Sequence, residues 1–405
     1  MTIPFENKRI LLGVTGSIAC YKACDLASRL KQAGAFVDVV LTAGATRFIS
    51  PLSFQSVTGR KAYTDEDLWG GEGHVLHVSL GQSADLVLIA PATANTIAKL
   101  AHGIADNLLT DSVLVSSCPL VISPAMESHM FANTATQENI QILARRGAAI
   151  LGPAEGHLAS GAVGKGRFVE PVNILAELRY LMTRSGRLKG KKVVITAGGT
   201  QEPIDPVRII TNNSSGKQGY ALAQAALDAG AEVTLIAAPN ALETPFGATQ
   251  VRVRTAADMK DAVLSACEGT DALIMAAAVA DFRPVHVENQ KIKKGGGIPE
   301  IKLEPTEDIL KLVAKTKAKS GYPLLTIGFA AESQDLIENA REKLAAKSLD
   351  LIVANDITRS DAGFEVDTNA ITLIDKKGRA QSLPTLTKTE VAEKILDFVI
   401  HNLRL

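Results

Sequence analysis

The sequence carries no net charge: 43 lysines and arginines are balanced by 43 aspartates and glutamates over 405 residues. That balance gives no reason to expect a nucleic-acid or anionic-membrane partner. Long hydrophobic runs are missing too. No stretch approaches the roughly 18 apolar residues of a membrane-spanning helix, and the opening MTIPFENKRILLGV has no basic region leading into a long apolar core. The expectation is a cytoplasmic protein with no membrane partner. Cysteine is scarce, with four residues in all. Cys20 and Cys24 lie one helical turn apart while Cys118 and Cys267 are isolated, so neither a disulfide framework nor a zinc site is suggested.

What is present is an alternation of strands and helices that runs twice. Length allows two or three domains of about 100 to 200 residues. The polar run Arg184-Ser185-Gly186-Arg187-Leu188-Lys189-Gly190 marks a linker, so the domains are read as 1–189 and 190–405. No internal repeat relates them. The fold class expected is α/β, two doubly wound, Rossmann-like domains. In the first, Ile10 to Val14 is a strand, and Gly16-Ser17 opens a helix with Ala23, Leu26, Ala27 and Leu30 on its apolar face. Phe36 to Leu41 is the next strand. A dinucleotide-binding unit would end that second strand in Asp or Glu to hold the adenosine ribose. Here it ends Leu41-Thr42-Ala43-Gly44, and hydroxyl and backbone donors suit the terminal phosphate of a mononucleotide such as FMN. Gly16, Ser17, Ile18 and Thr42 are candidate contacts, although a purely structural turn explains the GVTGS segment equally well.

Two further strands, Asp85 to Ala90 and Leu120 to Ser123, run into Pro91-Ala92-Thr93-Ala94-Asn95 and Pro124-Ala125-Met126-Glu127. Open α/β sheets bind ligands at such carboxyl ends, and a helix capped by Thr or Asn is the plain alternative. His77 and His74 precede the Asp85 strand; either by itself is more often a surface or satisfied histidine than a catalytic one, and the spacing to that strand selects His77 over His74. A closing helix is read over Glu170 to Met182.

The second domain opens with KKVVITAGGTQEPIDPVRIITNNSSGKQG, residues 191–219. The strand Val193 to Thr196 ends on Gly198-Gly199. A stiff loop, Pro203-Ile204-Asp205-Pro206, follows, and Ser214 to Gly219 then open a helix with Ala223, Ala226, Leu227 and Gly230 on one face. Polar side chains and backbone N–H groups at that start, beside Lys217, make an anion site. It is not a P-loop, which needs Gly at Thr211 and Ser or Thr at Gln218, nor a dinucleotide fingerprint. Strands follow at Glu232 to Ala237, Ala272 to Val279, Thr326 to Glu332 and Leu351 to Asp356, with a hairpin over 370–383 and a helix from Thr387 to Ile400. Asp281 ends the third strand and is by itself an ordinary turn residue. Lys291-Ile292-Lys293-Lys294 beside three glycines is by itself usually just a solvated loop. Lys343 and Lys347 repel each other one turn apart unless an anion sits between them, which makes a triphosphate plausible.

The AGGTQEPIDPVR and NNSSGKQG segments resemble the phosphopantothenate–cysteine ligase domain. APATANTIAKLAHGIADNLL resembles the cysteine-decarboxylating FMN proteins. The likeness runs over residues 8 to 400 and is to the bifunctional phosphopantothenoylcysteine decarboxylase / phosphopantothenate–cysteine ligase family of coenzyme A biosynthesis. It implies a flavodoxin-like FMN domain ahead of a nucleotide-binding ligase domain. The small-molecule substrates would be 4'-phosphopantothenate, cysteine and CTP, with FMN and Mg2+ as cofactors. Homo-oligomers would be trimeric through the flavin domain and dimeric through the ligase domain. Ligation would pass through an acyl-cytidylate. Decarboxylation would follow removal of a hydride from the cysteine β-carbon, because the resulting thioaldehyde accepts the electrons that departing CO2 leaves behind.

The resemblance assigns His77, Asn212, Lys291 and Ser160 to catalysis. It assigns Gly16, Ser17, Ile18, Thr42, Pro91, Ala92, Thr93, Ala94, Asn95 and Met126 to FMN. CTP falls to Met275, Ala276, Ala277, Asp281, Lys291, Glu307, Asp308, Ile309, Leu310, Phe329, Lys343 and Lys347, and no metal ligand is assigned. Two positions depart from the pattern. Glu127 stands where better-known members carry Asn and would repel a substrate carboxylate. Ser160 stands where some relatives carry a proton-donating Cys. These departures keep open a flavoprotein whose decarboxylase half is inactive and that acts as a ligase or a regulatory binding protein. An NAD-dependent dehydrogenase is disfavoured by the missing strand-end acids. A flavin prenyltransferase-like enzyme is disfavoured by His77 and the ligase segments.

Overall fold

The computed structural model describes residues 4–69, 75–293, 300–332, 336–356 and 367–403. The chain divides into two compact units, Thr2–Arg179 and Tyr180–Leu405.

The first unit is built from β1 (Arg9–Val14), α1 (Cys20–Gln32), β2 (Phe36–Leu41), α2 (Pro51–Thr58), β3 (Ala62–Tyr63), α3 (Leu76–Ser83), β4 (Leu86–Ala92), α4 (Ala94–His102) and α5 (Leu108–Val115). It continues through β5 (Leu120–Pro124), α6 (Ser128–Ala132), α7 (Thr134–Arg145), β6 (Ala149–Ile150), the hairpin β7 (Ala154–His157) and β8 (Val163–Arg167), and α8 (Pro171–Thr183), within which the division falls. Six strands pair in parallel in the order β3-β2-β1-β4-β5-β6. Helices cover both faces, so five of the six residues of β1 and of β2 are buried. This is why these strands read as apolar runs without alternation. Helix α1 starts three residues later than the sequence suggests. The Ser17 N–H donates to Thr15 O at 2.7 Å, making a tight turn that delays the first helical residue to Cys20.

The second unit comprises β9 (Lys192–Ala197), β10 (Gln201–Pro203), β11 (Ile209–Thr211), α9 (Lys217–Asp228), β12 (Glu232–Ala237), β13 (Thr249–Arg252), α10 (Ala256–Ala266), β14 (Ala272–Met275), β15 (Phe282–Pro284), β16 (Leu303–Pro305) and α11 (Ile309–Ser320). It ends with β17 (Leu325–Glu332), α12 (Leu336–Ala346), β18 (Leu351–Asp356), β19 (Thr368–Asn369), β20 (Ile371–Asp375), β21 (Ala380–Ser382), β22 (Leu386–Thr387) and α13 (Lys388–Asn402). Eight strands lie in the order β13-β12-β9-β14-β17-β18-β20-β21, the first six parallel and the last two antiparallel. Helices α9 and α13 pack a small-residue face, including Ala223, Ala226 and Leu227, against Val391, Ile395 and Val399 on one side of the sheet.

Three local expectations change here. The stiff loop at Pro203 is the turn of an antiparallel hairpin, β10 with β11. The strand from Ala272 stops at Met275 rather than Val279, because the Ala277 N–H turns to the Thr196 side chain at 3.0 Å. Gly230 lies past the end of α9. No described helix is long and apolar enough to cross a membrane.

Candidate functional sites

In each sheet the winding reverses beside the first strand, β1 against β4 and β9 against β14, which opens a crevice at the carboxyl ends. In the first unit Thr15 spans it. The hydroxyl, fully buried, donates to Pro91 O at 2.7 Å and accepts from Thr93 N at 2.9 Å. The loops after β1 and β2 meet through two glycines, since a Cβ on Gly16 would lie 3.0 Å from the Gly44 backbone. Gly16, Ser17, Ile18 and Thr42 thus come together, the Thr42 N–H donating to Val14 O at 3.0 Å. Thr93 caps α4 by accepting from Thr96 N, which places Ala94 and Asn95 in its first turn.

Helix α3 runs back towards the start of β4, so its first turn, carrying His77, lies on the carboxyl-end side. Gly81 lets this helix sit directly against Ser112 of α5, and the Nδ1 of His77 is buried without a hydrogen-bond partner among the described residues. A buried ring nitrogen left in this state calls for a ligand or solvent partner. His74 lies outside the described residues.

The Met126 N–H donates to Gly166 O at 3.0 Å, so the β7–β8 hairpin rests on the segment after β5. Glu127 is engaged locally. Its carboxylate accepts from Ser128 Oγ at 2.6 Å, His129 N at 2.6 Å and Met130 N at 3.4 Å, capping α6. The Ser128 hydroxyl, with the His129 ring and the two N–H groups, holds this carboxyl down at about 2. Ser160 is exposed at the hairpin tip, and no hydrogen bond among the described residues ties it to His77 or Met126.

The second unit has a cleft of about 510 Å³ at its own switch point. Into it the fold brings Asn212, Met275, Ala276, Ala277, Asp281, Glu307, Asp308, Ile309, Leu310, Phe329, Lys343 and Lys347. Buried Thr196 and Thr200 accept from Ala277 N and Ala280 N at 3.0 and 2.9 Å and thereby shape this wall. The Asn212 amide donates to Val279 O at 3.0 Å. Asp308 caps α11, accepting from Lys311 N, and pairs with Lys347 at 3.2 Å; Lys347 lies just past the end of α12. Glu307 pairs with Lys260 at 2.6 Å, and that ammonium holds its carboxyl below the usual range.

Lys291 is the exception. It does not line this cleft but a separate depression with Ile204, Val285 and Lys302. The reason is a buried carboxylate whose role its sequence position does not reveal. Asp205, with a fully buried side chain, accepts from Val207 N, Arg208 N and Ile292 N at 2.8, 2.8 and 3.2 Å and pairs with Arg208. This clamps the Lys291-Ile292 backbone onto the β10–β11 turn. Asn355, Asn369 and Lys388 also line the cleft unannounced, because each looks like an ordinary strand end or helix start in the sequence.

Two doubly wound α/β units, each with its own switch point between β1 and β4 or between β9 and β14, define a two-domain α/β protein of the nucleotide-binding architectural class. Residues 4–182 match the Flavoprotein family model, and residues 188–403 match the DNA/pantothenate metabolism flavoprotein C-terminal domain. The chain is 48% identical over 394 residues to the coenzyme A biosynthesis bifunctional protein CoaBC of Bacillus subtilis, covering 96% of each chain. It is 42% identical over 405 residues to that of Mycobacterium tuberculosis strain H37Rv, covering 97% and 96%. Among solved structures, the C-terminal domain of CoaBC aligns at 43% identity and TM-score 0.46, over 54% of this chain and 98% of that one. A PPC decarboxylase mutant complexed with pantothenoylaminoethenethiol aligns at 36% identity and TM-score 0.41, over 44% and 98%. The chain belongs to the family of the bifunctional coenzyme A biosynthesis protein CoaBC.

Proposed function

We propose that the second unit joins cysteine to 4'-phosphopantothenate at the expense of CTP, and that the first decarboxylates the product to 4'-phosphopantetheine with FMN. Residues 1–189 are the decarboxylase domain and 190–405 the ligase domain. The observation that carries the ligase half is the cleft that gathers Asn212 with the 275–277, 281, 307–310, 343 and 347 set. There the acyl carboxylate displaces pyrophosphate from the nucleotide's α-phosphate, and the cysteine amine then displaces CMP. Asp281 and the 275–277 backbone hold base and ribose, Lys343 and Lys347 face the triphosphate, and Asn212 grips the activated acyl group. Lys291, held on its own depression by Asp205, acts on the phosphates from outside the cleft lining. Mg2+ would balance the charge of the nucleotide's phosphates.

The first unit's crevice suits a flavin mononucleotide. The Gly16–Gly44 approach leaves a backbone-lined cradle for phosphate and ribityl chain, and the unpartnered His77 Nδ1 offers a polar contact. FMN supplies reversible two-electron chemistry at the cysteine side chain. Gly16, Ser17, Ile18 and Thr42 hold its phosphate end, while Pro91, Ala92, Thr93, Ala94, Asn95 and Met126 border the ring. His77 exchanges the substrate proton, which an imidazole can do and an amide cannot. The Ser160 hydroxyl is a far weaker acid than a thiol, so a water or another group must deliver the final proton. Homo-oligomers, trimeric through the flavin domain and dimeric through the ligase domain, complete the reading. Exposed Tyr21, Phe48 and Leu52 of the first unit support such contacts.

A second reading, ligation with an inactive decarboxylase half, draws on Glu127, whose ionised carboxylate is a poor neighbour for a substrate carboxylate. Mass spectrometry after incubation with 4'-phosphopantothenate, cysteine, CTP and Mg2+ decides between them. Formation of 4'-phosphopantetheine and CMP is expected. Arrest at the carboxylated product would favour the second reading, and no conversion would remove both. His77→Asn should keep the flavin and stop CO2 release.

A further inference from the structure

We infer that Thr306 is a positioning residue for the nucleotide: it fixes the backbone that carries Asp281 and fastens it to the start of α11, so that two stretches of the cleft wall meet the nucleotide as one surface. The inference rests on the ligase reading above.

Residues 276–281 need such support. β14 ends at Met275 and β15 opens only at Phe282, so this part of the wall lies outside the named strands. Threonine hydroxyls hold it. Besides the Thr196 and Thr200 bonds to Ala277 N and Ala280 N, the Thr306 Oγ1 donates to Ala280 O at 2.6 Å and the Thr306 N–H donates to Asp281 O at 2.9 Å. Ala280, only 3% exposed, thus has its N–H and its carbonyl both taken by threonine side chains, which reach it from 80 and 26 residues away. Thr306 in turn grips two consecutive carbonyls. Because each peptide unit is planar, holding the units on either side of the Asp281 Cα sets its φ and ψ, and with them the direction in which its side chain leaves the backbone.

Position separates this from an ordinary stitch between loops. Thr306 is itself half-buried on the cleft wall, directly ahead of Glu307 and Asp308. Its N–H bond to Asp281 continues the β15–β16 ribbon, in which Phe282 pairs with Pro305 and Pro284 with Leu303. Beyond Pro284, the Val285 N–H donates to Lys302 O at 2.9 Å, and both residues line the depression that holds Lys291. One end of the ribbon therefore borders Lys291, and Thr306 fastens the other end to the nucleotide wall. The acyl side is secured by different bonds, the Asn212 amide on Val279 O at 3.0 Å and the Ala278 N–H on Gly198 O at 2.9 Å. Losing the Thr306 hydroxyl should free Asp281 and leave Asn212 in place.

The test uses the full-length protein and follows pyrophosphate release with each substrate varied in turn. Thr306→Val keeps the branched shape and removes the donor, which leaves the Ala280 carbonyl without that partner, whereas Thr306→Ser keeps the donor. Thr306→Val should raise the KM for CTP about tenfold or more, the effect of orphaning a buried acceptor, while the KM for 4'-phosphopantothenate stays at its wild-type value. Thr306→Ser should stay near wild type for both. Titration calorimetry with CTP alone should show the same loss of affinity in the valine variant, independently of turnover. Should that variant fail to fold, Thr306→Ala against Thr306→Ser gives the same comparison. An unchanged KM for CTP would overturn the inference, and so would a serine variant as impaired as the valine one. An equal rise in both KM values would overturn it as well, since a general loosening of the unit moves both alike. Wild-type protein that releases no pyrophosphate and binds no CTP would instead remove the ligase reading.

Discussion

Replacing Gly219 by alanine tests how the ligase cleft is held open. Gly219 lies in the first turn of α9, where an added Cβ would stand 2.5 Å from Ala197 Cβ, 2.8 Å from Thr196 O and 2.9 Å from Ala197 Cα. Carbon atoms settle at about 3.5–4.0 Å, so the start of α9 must retreat from β9 by about 1 Å. None of the three atoms can rotate away, because two are backbone and the third is fixed to it. Overpacking of this kind costs about 1–3 kcal/mol. For a unit of this size that lowers the unfolding midpoint by about 2–12 °C. The displaced turn also carries Lys217 and Gln218, which line the cleft, so ligation should slow. Calorimetry of the full-length protein, with flavin fluorescence marking the first unit, should show only the second unit's transition moving. Gly219→Val should move it further. An unshifted transition with unchanged ligation, or loss of flavin instead, would refute this account of the α9–β9 contact.

Four further expectations follow from particular contacts. Asn212→Asp exchanges a donor to Val279 O for a repelling carboxylate, so ligation should slow by about tenfold or more, with the activated acyl intermediate accumulating in rapid-quench mass spectrometry. Lys291→Gln should impair the first step instead, and accumulation of the same intermediate in both variants would contradict the division of roles. Glu127 is depressed from 4.5 to about 2, so its capping of α6 should be complete above the ordinary carboxylate range and lost as pH falls through about 2. The His129 and Met130 amide resonances should report that midpoint, and a midpoint near 4.5 would show the cap is not formed. Asp205→Asn should loosen the backbone at Ile292 and speed tryptic cleavage at Lys291 and Lys293, whereas unchanged cleavage would mean that the clamp does not hold that segment.

Much of this architecture was legible in the residues alone. Phe36–Leu41 and Glu232–Ala237 are strands over the same residues that their apolar runs mark out, since a strand buried on both faces announces itself locally. The helix start at Lys217 and the missing acids after β2 and β12 were likewise visible, because capping and turn chemistry act over a few neighbours. Which loops meet was not. Thr15 bonds with Pro91 and Thr93 across 76 and 78 residues, and Asp205 with Ile292 across 87, pairings that depend on strand order rather than local pattern. The same holds for Lys217, Asn355 and Lys388, which share one cleft only because α9, β18 and α13 are brought together by the fold. The sequence by itself therefore determined the elements and the chemical types at their ends. Only the tertiary structure decided that Lys291 stands apart from the cleft and Lys388 within it, because burial and long-range pairing, unlike periodicity, belong to the folded chain as a whole.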